Sequence, residues 1–114
     1  MKFIFNQDEI KKKKFNDRWV RFAFGPQGFE NNGDLNLGIV NFSKNRQALN
    51  HRHIVDEALF ILKGKAKIKV GDNVYTIKKN DFVYVPRNTD HQVITAEESI
   101  KILFVFSGDI TIGY

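Results

Sequence analysis

The stretch from Glu57 to Val85 reads EALFILKGKAKIKVGDNVYTIKKNDFVYV. In KAKIKV (65–70) lysine alternates with apolar residues, the period of a strand with one wet and one dry face. Gly71, Asp72 and Asn73 separate it from VYTIKK, and Lys63, Gly64 and Lys65 join it to EALFIL, so both joints read as tight turns between antiparallel strands. Lys63, Lys65, Lys67 and Lys69 mark the solvated face and also read as protection against edge-to-edge pairing.

The same rhythm runs outward in both directions. Strands are expected at 19–24, 35–42, 48–53, 57–62, 65–70, 73–77, 82–85, 91–95 and 100–106. Breaks fall at GPQG (25–28), NNGD (31–34), GDN (71–73), KND (79–81) and PRNTD (86–90). Turn residues every eight to twelve positions indicate an all-β sandwich or barrel and leave no room for βαβ units. Only residues 8–14 offer a helical turn.

The chain has 114 residues, the usual size of one domain. Its 42 % hydrophobic and 27 % charged residues exclude a disordered polymer, and eleven Phe point to a core of rigid rings suited to strands. With no cysteine, disulfides, thiolate metal sites and a Cys nucleophile are all excluded. The start, MKFIFNQDEIKKKKF, has too short an apolar run for a secretory signal, and no segment reaches the roughly 18 apolar residues that span a bilayer, so a cytoplasmic protein is expected.

The formal charge is +5. Lys11, Lys12, Lys13 and Lys14 form one source, but no aromatic platform or recognition motif adjoins them in the sequence, so no nucleic-acid partner and no membrane partner is expected. Segments 57–62, 82–85 and 102–106 are apolar on both faces. A second sheet covers one face, and a second subunit is expected to cover the other, giving a homodimer.

The chemistry concentrates in His51-Arg52-His53-Ile54-Val55-Asp56-Glu57 and in His91; there is no other histidine. On a strand, residues i and i+2 share a face, so His51 and His53 converge, and a kink at 54–56 that preserves parity brings Glu57 to them. Imidazoles with a carboxylate suit zinc, iron, manganese, nickel or copper and are too nitrogen-rich for calcium or magnesium.

These residues resemble the two motifs of the cupins. The first, G-x5-H-x-H-x3,4-E-x6-G, is matched by Asn45, His51, His53, Glu57 and Gly64. The second, G-x5-P-x-G-x2-H-x3-N, is matched by Asn80, Pro86, Asn88, His91 and Thr95. Asparagine stands at three glycine positions and is the usual substitute where the backbone needs a positive φ. The resemblance implies a single-domain double-stranded β-helix (jelly-roll) barrel over residues 1–114, with 1–17 as an N-terminal extension or strand and 18–106 as the barrel core. It also implies one divalent transition metal held by His51, His53, Glu57 and His91, its open positions facing water or substrate.

Weaker candidates surround that cluster. Arg46 and Gln47, just before the ligand strand, and Phe104 are candidates for substrate contact, and Tyr84 and Tyr75 for donating a phenolic proton. Phe60, Phe82, Phe104 and Phe106 are expected to line or back the cavity. The resemblance implies a metal-dependent enzyme on a small polar metabolite, such as a sugar, uronate or keto-acid isomerase or epimerase. An Fe(II) dioxygenase and a non-catalytic small-ligand or sugar-binding barrel are the alternatives. Sensor cupins carry a helical DNA-binding segment, for which this chain has no room.

Overall fold

In a computed structural model the described residues are 3–25, 28 and 35–107. The NNGD turn, with Pro26 and Gln27 of GPQG, lies outside them.

Among the described residues, one 3-10 turn, Gln7–Glu9, is followed by strands only: β1 Lys13–Lys14, β2 Arg18–Phe24, β3 Asn36–Phe42, β4 Glu57–Lys63, β5 Lys65–Val70, β6 Asn73–Lys78, β7 Phe82–Val85, β8 His91–Ile94 and β9 Ile100–Phe106. They form a six-stranded sheet in the order β1-β2-β3-β9-β4-β7 and a three-stranded sheet in the order β6-β5-β8, all neighbours antiparallel. Two such sheets closing over one core make the jelly-roll barrel. No helix among the described residues is long and apolar enough to cross a membrane.

The period-two pattern places the core. On β3 and β9 burial alternates residue by residue, and Val20, Val40, Ile61, Ile68, Ile100, Ile102, Phe104 and Phe106 are almost fully enclosed. Each large apolar side chain so enclosed contributes about 1.5–3 kcal/mol. Gly38 sits in register between Phe22 and Phe104. A Cβ there would stand 2.6 Å from the Phe104 ring, so its absence lets Phe22 and Phe104 meet edge to face at 5.8 Å.

The three motif asparagines adopt the backbone their positions require: φ is +55° at Asn45, +76° at Asn80 and +59° at Asn88. Gly64 (φ +92°) turns β4 into β5, and a Cβ on it would meet the Ser99 carbonyl oxygen at 2.2 Å.

Four expectations need correction. Segment 48–53 is not a continuous strand. It meets β8 through the isolated bridges at Gln47–Ile94, just before it, and His51–His91, with Ala48 N donating to the Val93 carbonyl at 3.0 Å. The helical turn lies at Gln7–Glu9, and Lys13–Lys14 pair with β2 instead. The alternating lysines do not guard an edge, because β5 is the middle strand of its sheet; Lys65 and Lys67 cover its outer face. Phe60 and Phe82 do not line the cavity. Glu57, Leu59 and Ile61 face inward, so parity turns Phe60 outward, where it stacks on Phe82 at 4.7 Å, and Phe82 is 82 % exposed. The outer face of β4 and β7 is therefore apolar.

Candidate metal centre

His51 and His91 exchange both backbone hydrogen bonds, His51 N to His91 O at 3.0 Å and His91 N to His51 O at 2.8 Å, so one bridge fixes two imidazoles side by side. His53, two residues on, turns to the same point, and the three rings pack with centroids 4.2–5.3 Å apart. One nitrogen from each falls within 4.8 Å of the others. Residues 54–56 form the kink that preserves parity, after which β4 begins with Glu57 facing inward and 1 % exposed.

The loops that carry these residues are tied together. Arg52 pairs with Asp90 at 2.6 Å, and the Arg87 amide donates to Asp56 at 3.0 Å. The Asn88 amide donates to the His53 carbonyl at 2.7 Å, which is the contact its positive φ permits. Thr95 pins the loop before His51: its hydroxyl donates to the Ser43 carbonyl at 2.5 Å and accepts from the Arg46 amide at 2.9 Å. Arg52, Asp56, Arg87 and Asp90 were not among the sequence candidates. Their signal, opposite charges on the two loops that flank the histidines, shows only once the loops are adjacent. The Arg87 amide and side chain hold the Asp56 carboxyl below its ordinary range, and the Arg52 hydrogen bond does the same for Asp90.

Hydrogen bonding also fixes the imidazoles chemically. His51 Nδ1 lies 2.9 Å from the Leu49 carbonyl oxygen and His91 Nδ1 lies 3.2 Å from that of Thr89. A carbonyl only accepts, so each Nδ1 carries a proton and Nε2 is the nitrogen turned inward. His51, His53 and His91 all have Nε2 buried. His91 Nε2 and Glu57 Oε1 stand 2.9 Å apart, 3 % and 1 % exposed, at ion-pair distance. Two lone pairs so close require a proton or a cation between them. With a proton there, Glu57 lifts His91 above its ordinary range, although burial alone pulls the other way. Burial, then the neighbouring His91, push His51 below it.

The other candidates do not join this cluster. Phe104 is wholly buried and packs on Phe106, whose ring meets His53 edge to face at 4.8 Å. Tyr84 is 62 % exposed on the outer face beside Asp56, and Tyr75 is 52 % exposed at the β6 edge, lining a cleft of about 360 Å³ with Ile68, Val70 and Val83. Arg46 and Gln47 are exposed, and the Gln47 bridge to Ile94 sets it on the small sheet. One inward cation was not foreseen. Arg18 shares the inner parity of Val20 and Phe22, lies 5.8 Å from the Phe42 ring, and its charge helps depress His51. In RWVRFAF it looks like any wet-face residue.

A three-imidazole cluster able to hold a metal ion, inside a two-sheet barrel, defines the class: an antiparallel β-barrel with a candidate metal centre. The family model of the cupin domain matches residues 38–106, and the chain belongs to that family. An uncharacterised protein of Streptomyces coelicolor is 34 % identical over 55 residues, 48 % of this chain and 52 % of its own; the chain thus matches about half the length of this curated relative. An RmlC-like cupin from Shewanella frigidimarina superposes with a TM-score of 0.82 at 13 % identity, over 97 % of this chain and 95 % of that one. The DMSP lyase DddQ from Ruegeria pomeroyi gives 0.82 at 18 % identity, over 93 % and 60 %. At these identities the structural likeness establishes the fold. The three histidines are a group able to hold a metal ion.

Proposed function

We propose that the chain binds one divalent transition metal on His51, His53, His91 and Glu57 and uses it as an enzyme on a small polar metabolite of the sugar, uronate or keto-acid kind, by isomerisation or epimerisation. The observation that carries this reading is the 2.9 Å approach of His91 Nε2 to Glu57 Oε1 inside the barrel. Three imidazoles and one carboxylate are a donor set that would suit a first-row divalent ion. A buried carboxylate is costly unless its charge is answered, and a divalent ion is one group that answers it.

When bound, such an ion supplies Lewis acidity toward a substrate carbonyl or hydroxyl oxygen. The chain's residues do the rest. The carbonyls of Leu49 and Thr89 keep the Nδ1 protons of His51 and His91 in place. Phe106 sets its ring edge to face on His53, and Phe104 packs behind Phe106. Arg18, on the inner face, is held by the Asp17 carboxylate at 3.0 Å and over the Phe15 ring at 4.8 Å. Glu57, as a donor to the metal, is not free to act as a base, so a proton is moved by another group. A homodimer through the apolar outer face of β4 and β7 completes the reading, since exposed rings at Phe82 and Tyr84 are what an obligate interface covers.

The test is metal-reconstituted protein on a panel of sugars, uronates and keto acids, followed by NMR. Conversion of one of them supports the reading. Oxygen uptake by the iron form would move the assignment to a dioxygenase, and tight ligand binding without turnover would move it to a binding barrel.

A further inference from the structure

One row of the six-stranded sheet has no part in the metal centre. Register places Lys14 opposite Trp19, Trp19 opposite Asn41, Asn41 opposite Lys101, and Lys101 opposite Lys63. Directly paired residues share a face, so this row crosses five strands, about 19 Å, on the outer surface. Over the partly buried indole of Trp19 lie Lys12 Nζ at 4.5 Å, the Arg21 guanidinium at 5.3 Å and Lys101 Nζ at 5.8 Å from the ring centroid. Among the described residues, the carboxylate within 4 Å of these cations is Asp8, which meets Arg21 at 3.7 Å and is itself 83 % exposed; Lys12, Lys14, Lys63 and Lys101 have none. The lysine cluster was read from the sequence as lacking an aromatic platform. The two-residue pairing of β1 with β2 supplies one.

We propose that this row binds single-stranded nucleic acid, its phosphates along the lysines and one base against Trp19. Like charges gathered on one line repel unless an anion answers them, and a linear arrangement answers a linear polyanion. The indole adds what phosphate alone does not use: a π-face that takes an unstacked base, available in a single strand and not inside a duplex. The row lies at one end of the sheet, outside the barrel, so binding there is independent of the metal.

Trp19 is the chain's one tryptophan, so its fluorescence reports the row directly. Labelled 12-nucleotide oligo-dT and oligo-U are titrated by anisotropy, with Trp fluorescence in parallel, at 50 and 200 mM salt; the two arms distinguish DNA from RNA. The expected result is saturable binding with Trp quenching that weakens by about 50-fold between the two salts, as neutralising four phosphates requires. Lys12→Gln/Lys14→Gln/Lys101→Gln should lose at least about tenfold in affinity and most of the salt slope. Trp19→Phe should lose about fivefold or more while keeping the slope. No binding at 50 mM salt, equal binding of duplex, unchanged binding by the triple variant, or binding of phosphatidylserine vesicles in place of oligonucleotide would each overturn the proposal. The wild-type salt series decides the matter even if a variant fails to fold.

Discussion

His91 Nε2 lies 2.9 Å from Glu57 Oε1 in the closed interior of the barrel, with His91's other nitrogen turned to the Thr89 carbonyl. The contact joins the start of β8 to the start of β4, residues 34 apart in sequence, and each partner brings a lone pair that a shared ion would accept.

Glu57→Gln keeps the shape and removes the charge. In the metal-free protein this change should destabilise at low pH, where His91 loses its charged partner, and cost less as pH rises and His91 becomes neutral. Metal affinity should fall by a factor of about ten or more, as losing one charged donor does. Calorimetric titration with Zn²⁺ and Mn²⁺ on both proteins measures it.

His51→Ala and His91→Ala should each abolish the rise in melting temperature that excess metal gives the wild type. At a free metal concentration 100 times the dissociation constant that rise corresponds to about 2.7 kcal/mol. Thermal melts with and without metal check this. Equal rises in variant and wild type would show that these residues are not donors.

The pH dependence follows from the two shifted histidines. His91 is raised, so in the metal-free protein its pairing with Glu57 stabilises fully below the unfolded value near 6.5 and is lost as pH climbs through the folded value. His51 is lowered, so its contribution has the opposite sign and is lost as pH falls. Metal demands both rings neutral, and its stabilisation therefore grows with pH. The gap in melting temperature between loaded and metal-free protein should be wider at pH 7.5 than at pH 5.5.

Both motifs, the three positive-φ asparagines and most strand limits were legible because they rest on spacing and period, which the sequence displays directly. At Asn45, Asn80 and Asn88 the residue type reports the backbone. The facing of Phe60 and Phe82 was not legible, since a strand apolar on both sides does not show which face is inside; Glu57, one buried acid, sets that parity. Arg18, the Arg52–Asp90 pair and the lysines around Trp19 were hidden for another reason: each depends on which strands or loops become neighbours.

Asn80 gives the turn reading its own test. Its φ of +76° favours glycine, tolerates asparagine and strains alanine. Asn80→Ala should destabilise by about 1 kcal/mol relative to Asn80→Gly in urea unfolding, with metal affinity unchanged.

Phe82→Asp should leave the fold intact, because the ring is 82 % exposed, and should convert the expected dimer to monomer in sedimentation velocity. A wild type that sediments as a monomer at high concentration would remove the proposed interface.

The most direct measurement is elemental analysis of protein purified without chelators and then reconstituted, beside His51→Ala/His91→Ala treated identically. The four-donor site predicts about one equivalent of a first-row transition metal per chain in the wild type and almost none in the variant. Well under one equivalent in the wild type after reconstitution, or the same content in both, would contradict it.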